Sequence, residues 1–458
     1  MRDLATSPGR TMRSGHAARA DEQTAGSLLL AATGDSLLTQ RLSSNSEPEF
    51  LGVIEILRAA DVAFTNLETT IHDSDAAPAA DSGGTWMVSP PHVAEELEWA
   101  GIRLLARANN HAMDWGVEGM RETTRVLDAR ALTHAGVGED LAGARQPVYR
   151  QTPAGKLALV SASSTFPAWG RAGRARGAVS GRPGLNPLRW SKVHLVGPQA
   201  FAAMRTIAAE LGVPAGGTDQ PLHLFGTTFV PWQKTAAGVE ADPADLAGNL
   251  ASVCEARSRA DWVVVSLHTH EDGGNPFLPS PFAVAFARQC VENGADVVLM
   301  HGAHVLRGIE IYRGKPVFYG LGNFIYQARQ VARIPADALE RLGLPVDASD
   351  DDAIARMEQW AASSTPGIPG RSPHLFGSAY SFLPVVRFAD RTLQDIRLYP
   401  LTLGPDLPRT RCGYPRLAQG RLAEEIIALL RRLSAPMCTA VTTEDGRGIV
   451  NPDLATGR

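Results

Sequence analysis

The sequence is poor in several features that would assign it to a particular class of protein. Its 458 residues include only four cysteines, and no two of them form a CxxC pair. A zinc ribbon or a thioredoxin-like motif therefore lacks support, and we expect reduced thiols. No apolar run reaches the 18 residues that a transmembrane helix needs, so we predict no membrane span.

An excess of one charge is also missing, since 44 Lys and Arg residues stand against 48 Asp and Glu residues. The formal net charge of −4 argues against a general nucleic-acid binder, whose affinity comes from neutralising phosphates. Hydrophobic residues make up 44% of the chain and charged residues 20%. This composition is typical of a soluble globular protein and argues against a mainly disordered chain.

The domain organisation follows from shifts in composition. Residues 1–26 carry four arginines, but the apolar segment after them is too short for a signal-peptide core. We predict a disordered leader over 1–26, one folded domain over 27–450 and a tail over 451–458. Residues 170–184 and 345–373 are rich in glycine, serine, proline or charge, and we predict them to be loop insertions. Without a signal or an anchor, we expect a cytoplasmic protein.

Short apolar runs alternate with helical patterns along most of the chain, which predicts an α/β fold. Five of these runs are followed at once by carboxylate, amide or imidazole side chains. In an open α/β sheet, ligands bind beyond the carboxyl ends of the strands, so we expect these side chains to converge on one rim. They are Asp35, Glu68, Asn110 with His111, His268, and His301 with His304.

Mixed oxygen and nitrogen donors suit a divalent cation such as Mn, Fe or Zn better than an all-oxygen calcium cage. Each residue also has a simpler explanation when it is taken alone. An Asp after a strand is commonly a turn or cap residue, and a single His there is commonly structural. Only the joint pattern at successive strand ends favours a metal site.

Several longer motifs resemble one family, the CapA/PgsA poly-γ-glutamate-synthesis proteins. The resemblance runs from about residue 27 to about residue 446 and implies the calcineurin-like metallophosphatase fold, with two packed β-sheets flanked by helices. The motifs are Thr33-Gly34-Asp35, Asn66-Leu67-Glu68, the run ANNHAMDWG over 108–116, Ser266-Leu267-His268, the run HGAH over 301–304 and the run GLGNF over 320–324.

The resemblance also implies a set of site residues. His111 matches the histidine that serves as an acid in phosphatase relatives. Leu37 stands where those relatives usually supply a metal-binding histidine, so the number of metal ions, one or a weakly held pair, stays open. The resemblance implies a divalent cation of open identity (Mn, Fe, Zn, Mg or Ca) and no organic cofactor. The implied metal ligands are Asp35, Glu68, Asn110, His268, His301 and His304.

One branch resembling this family epimerises a residue of a ribosomal precursor peptide during lasso-peptide biosynthesis. The resemblance therefore implies an isomerase that converts an L-residue, such as a C-terminal Trp, to the D-form by removing and returning the α-proton. Asp35, His111 and His301 are the predicted catalytic residues, and the choice of acid and base among them stays open. The alternatives are a metal-dependent phosphoesterase and a non-catalytic accessory protein of poly-γ-glutamate (capsule) synthesis. The expected partner is the precursor peptide, with no nucleic acid and no membrane.

Substrate contacts are predicted from two kinds of residue. Arg171 and Arg174 lie in the glycine-rich loop and could hold a carboxylate bidentately, although a solvated surface loop explains them equally simply. Trp86 and Trp115 could line an apolar pocket for an aromatic peptide end. Packing in the core is the simpler interpretation of both tryptophans.

Overall fold

A computed structural model describes residues 26–214, 216–234, 236–331, 333–364 and 379–452. The strands are β1 (Leu28–Leu37), β2 (Val62–Leu67), β3 (Thr70–Ile71), β4 (Val88–Ser89), β5 (Ile102–Ala106), β6 (Thr133–Ala135), β7 (Val137–Gly138), β8 (Val148–Thr152), β9 (Gly155–Ser163), β10 (Gly184–Leu185), β11 (Trp190–Val196), β12 (Leu222–Leu224), β13 (Thr227–Pro231), β14 (Ala236–Ala241), β15 (Trp262–Thr269), β16 (Val297–Gly302), β17 (Ile309–Tyr312), β18 (Lys315–Phe318), β19 (Asn323–Tyr326), β20 (Tyr380–Ala389), β21 (Thr392–Thr402), β22 (Arg416–Leu417), β23 (Thr442–Glu444) and β24 (Arg447–Val450). The α-helices are α1 (Pro48–Ala59), α2 (Val93–Trp99), α3 (Gly116–Ala129), α4 (Leu141–Arg145), α5 (Pro198–Glu210), α6 (Pro243–Arg259), α7 (Pro281–Glu292), α8 (Ala336–Arg341), α9 (Asp350–Ser364) and α10 (Gly420–Ser434).

Two large sheets form the centre of the molecule. The ten-stranded sheet has the order β23-β24-β21-β20-β1-β2-β5-β6, with β19 paired to β1 and β22 paired to β21. The six-stranded sheet has the order β17-β18-β16-β15-β9-β8. The neighbours β1, β2 and β5 are parallel in the first sheet, as are β9, β15 and β16 in the second. The carboxyl ends of these strands therefore share one edge within each sheet.

Alternation of side chains along the strands builds the layers. Leu30 of β1 and Phe64 of β2 face the six-stranded sheet and pack in one core with Val264 and Leu299. The outer face of the ten-stranded sheet packs against α1 and α2, and the outer face of the six-stranded sheet packs against α6 and α7. The predicted arrangement of two packed β-sheets flanked by helices is therefore confirmed.

The structure differs from the sequence prediction in one of the two insertions. Part of the predicted loop 345–373 is the helix α9, while residues 365–373 lie outside the described part of the chain. The buried residues Ala353 and Ile354 supply an apolar side, and three aspartates in the first turn favour a helix start. The stretch 170–184 is mostly irregular, as predicted.

The predicted leader and the predicted tail lie largely outside the described residues. The structure describes neither residues 1–25 of the leader nor residues 453–458 of the tail. A separate four-stranded sheet, β12-β13-β11-β14, packs against α5. These elements lie between β10 and α6 along the chain, and the sequence did not predict them. No helix in the described ranges is long and apolar enough to cross a lipid bilayer.

A largely buried imidazole on β6, that of His134, makes the free energy of unfolding depend on pH. Burial first, and then the charge of Arg107, lowers the pKa of His134 to about 4. The unfolded chain takes up this proton near pH 6.5, so unfolding is favoured as the pH falls from about 6.5 to about 4. We expect a loss of up to about 3 kcal/mol over this window from this group.

The measurement is the midpoint of urea unfolding at several pH values. His134→Gln should flatten the fall in the midpoint between pH 6.5 and pH 4.5. The matched control is His223→Gln, because His223 is exposed and bonds only Thr228 in the same small sheet. Equal slopes for wild type and His134→Gln would contradict the prediction.

Candidate metal centre

Strand register places the predicted site residues side by side. Asp35 of β1 is the register partner of Asn66 in β2 and of Asn323 in β19. In the other sheet, His268 of β15 pairs with His301 of β16. Both pairs lie at the carboxyl ends of parallel strands, so a side chain from each sheet reaches the same rim.

A close approach of two backbone segments fixes Asp35. The backbone N–H of Asp35 donates to the carbonyl oxygen of Gly322 at 3.0 Å. A Cβ atom on Gly34 would lie 1.8 Å from that same oxygen, so only glycine fits at this position. The register of β1 shifts on both sides of Asp35, which turns its carboxylate into the cleft between the sheets.

Six side chains meet at this rim, and their donor atoms form three overlapping groups. Within each group the candidate ligand atoms lie within 4.8 Å of one another. The groups are Asp35 with His268 and His301, Glu68 with His268 and His270, and Asp35 with Glu68 and His304. We call these six residues the rim cluster.

Nitrogen atoms of the rim cluster face one another at short distances. The Nδ1 atoms of His268 and His301 are 3.2 Å apart, and the Nε2 atoms of His268 and His270 are 3.1 Å apart. Glu68 Oε1 is 3.6 Å from His268 Nε2 and 4.0 Å from His304 Nε2. Imidazole and carboxylate donors converging in this way are typical ligands of divalent transition metals.

Glu68 supplies the strongest argument for a cation. Its side chain is 0% exposed, and neither carboxylate oxygen has a hydrogen-bond partner among the described residues. Burial, and then the negative charge of Asp35, raises the pKa of Glu68 well above its usual value. A buried carboxylate without partners is unfavourable, and a divalent cation would satisfy both oxygens. The residues present therefore fit a bound metal ion.

Asn110 fits the same interpretation. Its Nδ2 atom donates to the carbonyl oxygen of Gly83 at 3.2 Å, while its buried Oδ1 atom has no partner within the described ranges. The neighbouring Asn109 is satisfied, because it donates to Asn66 Oδ1 and to the carbonyl oxygen of Leu67. Of the two amides, Asn110 is thus the one with an oxygen available to a cation.

Charge is distributed unevenly over the rim cluster. Burial alone would raise the pKa of Asp35, but hydrogen bonds and charges from His301 and His304 hold it well below its usual value. Burial works against protonation of His304, yet Glu68 and Asp35 together raise its pKa to about 9. Burial, followed by the charge of His304, lowers the pKa of His270 to about 3. His270 is therefore neutral at pH 7, the form that binds a metal.

A carboxylate–imidazole pair lies next to the rim cluster. His111 Nδ1 is 2.7 Å from Asp114 Oδ2. Asp114 is fixed in turn by the hydroxyl of Ser82 at 2.8 Å and by the backbone N–H of Met87 at 2.6 Å. His111 Nε2 has no hydrogen-bond partner among the described residues, and a Cβ on Gly84 would lie 3.4 Å from it. This nitrogen is available for proton transfer.

The structure brings together nearly all of the residues that the sequence singled out for the metal. Asp35, Glu68, His268, His301 and His304 all belong to the rim cluster. Leu37, which replaces the histidine of phosphatase relatives, is 3% exposed and packs with other apolar side chains.

His270 is the residue that sequence reasoning missed. It is absent from the predicted metal ligands. The available signal was the two-residue period of a β-strand, which puts His268 and His270 on the same face of the chain. The predicted strand ended with its apolar run, so the two-residue period did not extend to His270.

The predicted catalytic residues Asp35 and His301 are both deeply held. Asp35 accepts hydrogen bonds from Asn66 Nδ2 at 2.8 Å and from the backbone N–H of Gly302 at 2.9 Å. His301 Nδ1 is 3.2 Å from Asp35 Oδ1, and its Nε2 is 2.7 Å from Ser266 Oγ. Together they form a second carboxylate–imidazole pair, and their catalytic role stays a prediction.

The predicted substrate contacts lie in two different environments. Trp86 is 1% exposed and donates its indole N–H to the carbonyl oxygen of Ala79, and Trp115 is 5% exposed. Their burial agrees with the simpler interpretation as core residues and gives no support to substrate contact. Arg171 is half-buried and Arg174 is exposed. The loop that carries them packs beside Met113, two residues from His111, and its role stays a prediction.

Comparisons with known proteins identify the family. Residues 29–328 match the family described as "Bacterial capsule synthesis protein PGA_cap". The chain is 36% identical over 431 residues to a Sinorhizobium fredii protein named "Uncharacterized protein y4sH", covering 92% of each chain. It is 30% identical over 284 residues to a "Probable polyglutamine synthesis accessory protein" of Mycobacterium tuberculosis, covering 60% of this chain and 58% of that protein.

A Bacillus subtilis relative named "PGA biosynthesis protein CapA" is 27% identical over 277 residues, which cover 60% of this chain and 56% of that protein. The family has a metallophosphatase-like fold, which agrees with the two packed sheets and confirms the predicted fold class. The matched region contains the whole rim cluster together with His111 and Asp114. The chain is therefore a member of the CapA-like family of bacterial capsule synthesis proteins.

Proposed function

We propose that this protein is a metal-dependent peptide epimerase that uses no organic cofactor. It converts one L-residue of a ribosomal precursor peptide, such as a C-terminal Trp, to the D-form by removing and returning the α-proton. One observation carries the proposal: there are two separate carboxylate–imidazole pairs, of which Asp35–His301 belongs to the rim cluster and Asp114–His111 lies beside it. Such a peptide is made in the cytoplasm, where we expect the protein to act.

Inversion at a carbon centre needs two proton-transfer groups on opposite faces of that carbon. His268 and His270 stand between the two pairs, since His301 contacts His268 and His268 contacts His270. The charge of His111 in turn acts on His270. This order of contacts, from His301 through His268 and His270 toward His111, supports a two-base reaction.

The roles of ligand and base must be divided, because a residue that binds a metal cannot also act as a free base. The group Glu68, His268 and His270 contains neither Asp35 nor His301. A cation held by this group would leave Asp35 and His301 uncoordinated, so that this pair could serve as a proton-transfer group. When bound, a divalent cation acts as a Lewis acid toward a carbonyl or carboxylate oxygen.

The chain's own groups then determine how the proton moves. Asp114 accepts from His111 Nδ1, which fixes the ring and leaves Nε2 to take or give the α-proton. On the other side, Asp35 orients His301 through Nδ1. In this two-base reaction the removed proton stays on one pair, and the other pair delivers a proton that it has exchanged with solvent, so the inverted Cα carries solvent hydrogen.

A phosphoesterase is the second candidate, favoured by the same His111–Asp114 pair beside metal-ligand groups. In that reaction His111 would protonate a leaving oxygen. A third candidate is a non-catalytic accessory protein of polymer synthesis, which the names of the Mycobacterium tuberculosis and Bacillus subtilis relatives favour.

Incubation of a candidate precursor peptide with the protein and Mn²⁺ in heavy water separates these candidates. Epimerisation should give one deuterium at a single Cα, detected by mass spectrometry, and a D-residue after hydrolysis. Asp35→Ala combined with His301→Ala should lower the rate by at least about 100-fold, since paired acid–base groups contribute about 10²–10⁴-fold. Prior removal of metal with a chelator should have a similar effect.

Arg387→Gln is the control variant, because this exposed arginine contacts Asp395 on the surface of the ten-stranded sheet. Undiminished D-residue formation in the Asp35 and His301 variant would show that the assignment is wrong. Release of nitrophenol from nitrophenyl phosphate, lost in His111→Gln, would favour the phosphoesterase instead. Neither activity, together with co-purification with a ligase complex, would favour the accessory role.

A further inference from the structure

We propose that Arg307 is the recognition site for a carboxylate of the substrate, next to the rim cluster. The inference rests on the proposed function in taking the substrate to be a peptide. The carboxylate has two possible sources, the peptide C terminus and an acidic side chain. The observation behind it is a buried guanidinium with unused N–H groups and no paired carboxylate.

The position of Arg307 ties it to the metal-binding residues. Its Nε donates to the carbonyl oxygen of Pro276 at 2.9 Å, and its NH2 group lies 3.4 Å from the carbonyl oxygen of His270. His270 is itself a member of the rim cluster, with Nε2 3.1 Å from His268 Nε2. The guanidinium thus lies against the backbone of His270, one of the candidate metal ligands.

The side chain is only 1% exposed, and its NH1 atom is buried without a hydrogen-bond partner among the described residues. An arginine has five N–H donors, so the contacts to Pro276 and His270 leave most of the fork unused. A buried polar group without a partner is rare and calls for an explanation. A planar carboxylate is the ligand that matches this fork best.

The charge of Arg307 also lacks a partner. No Asp or Glu within the described ranges forms an ion pair with it, although Glu271 and Asp272 act on it from a distance. Glu271 is engaged elsewhere, because its oxygens accept from the hydroxyls of Ser164 and Thr165 at 2.5 and 2.9 Å. Buried charges in proteins are normally paired. A carboxylate from the substrate would supply the missing charge.

The adjoining loop gives a route for the ligand. Residues 272–276 are exposed, and Gly274 adopts a φ of +89° with open space around it. This segment lies between the two carbonyl groups that Arg307 contacts. For a ligand to reach the NH1 group through this loop, the loop would have to move and release the contact of Nε with Pro276.

The test uses three acetylated dipeptides that differ only in where a carboxylate is placed. Acetyl-Gly-Ala has a free C terminus, acetyl-Gly-Ala-amide has no carboxylate, and acetyl-Gly-Glu-amide has one on the side chain. Dissociation constants are measured by NMR titration, with metal and after chelation, because a metal ion can also select a carboxylate. For the wild-type protein without metal, we expect one of the two carboxylates to bind at least about tenfold more tightly than the amide.

Arg307→Met should abolish this preference, and Arg307→Lys should restore part of it, because lysine keeps the charge and loses the fork. Arg259→Met is the matched control, since it removes an exposed guanidinium from α6 and should leave the preference unchanged. Circular dichroism and the unfolding midpoint show whether each variant is folded. If Arg307→Met does not fold, the proposal is tested by whether Arg307→Lys has a weaker preference for the carboxylate probe than the wild-type protein.

Equal binding of all three probes to the wild-type protein without metal, or no binding of the carboxylate probes, would overturn the proposal. An unchanged preference in Arg307→Met would overturn it as well. The two carboxylate probes identify the source of the group that is recognised. This experiment measures binding and not turnover. A binding preference that depends on Arg307 would therefore stand even if no epimerisation were found, and failure of one proposal can be distinguished from failure of the other.

Discussion

Replacing Glu68 by glutamine is expected to weaken divalent-cation binding by at least about 100-fold, the upper range found when only a supporting residue of a metal ligand is lost. Glutamine keeps the shape of the side chain but removes the negative charge that a cation needs. Both oxygens of Glu68 are buried and have no hydrogen-bond partner among the described residues, so both are available to a cation. Titration calorimetry of the metal-free protein with Zn²⁺ and Mn²⁺ measures this change.

The same substitution should leave the metal-free protein at least as stable as wild type. Burial raises the pKa of Glu68 well above its usual value, so the folded chain resists ionising a group that the unfolded chain ionises readily. The stability that depends on this group is present below the unfolded pKa and is lost as the pH rises through the folded pKa. The advantage of Glu68→Gln should therefore grow as the pH rises.

Glu96→Gln is the matched control, because Glu96 is also buried but is satisfied by the backbone N–H of Ser43 at 2.7 Å and by Arg41 at 3.1 Å. This control should lower the thermal midpoint and leave cation affinity unchanged. Cation binding by Glu68→Gln at the wild-type affinity would mean that Glu68 is not a ligand.

Replacing Gly34 by alanine is expected to disrupt the rim while removing no ligand. The added Cβ would lie 1.8 Å from the carbonyl oxygen of Gly322, so one of the two backbone segments must move. We expect destabilisation of about 3 kcal/mol or more, the upper range for overpacking, because backbone cannot give way as a side chain can. Displacing Asp35 from its register with Asn66 and Asn323 should also reduce cation affinity.

The control is Gly143→Ala in the short helix α4. A Cβ there would meet its nearest neighbour, Asp140 Oδ1, at the ordinary distance of 3.5 Å, so little change is expected. Urea unfolding and cation titration are measured on both variants. If Gly34→Ala matched wild type in both measurements, the close approach of Gly34 and Gly322 would not be what fixes the site.

Features that depend on neighbouring residues in the chain could be predicted from the sequence, and features that depend on distant residues could not. The strand ends and their polar residues were predictable, because short apolar runs and the side chains that follow them are local features. The helix α9 was missed because serine, proline and acidic composition was given more weight than a short apolar face. His270 was missed because it lies one residue beyond β15.

By itself, the sequence determined the alternation of strands and helices, and the carboxylate, amide and imidazole groups placed at the strand ends. Only the tertiary structure decided which of those groups bring ligand atoms within binding distance of one another. It also decided that the Glu68 oxygens have no hydrogen-bond partner in the described part of the chain, and that the buried Arg307 contacts the backbone of His270. The physical reason is that burial and unsatisfied polar atoms arise from the packing of two sheets whose strands are far apart along the chain. No local pattern records that packing.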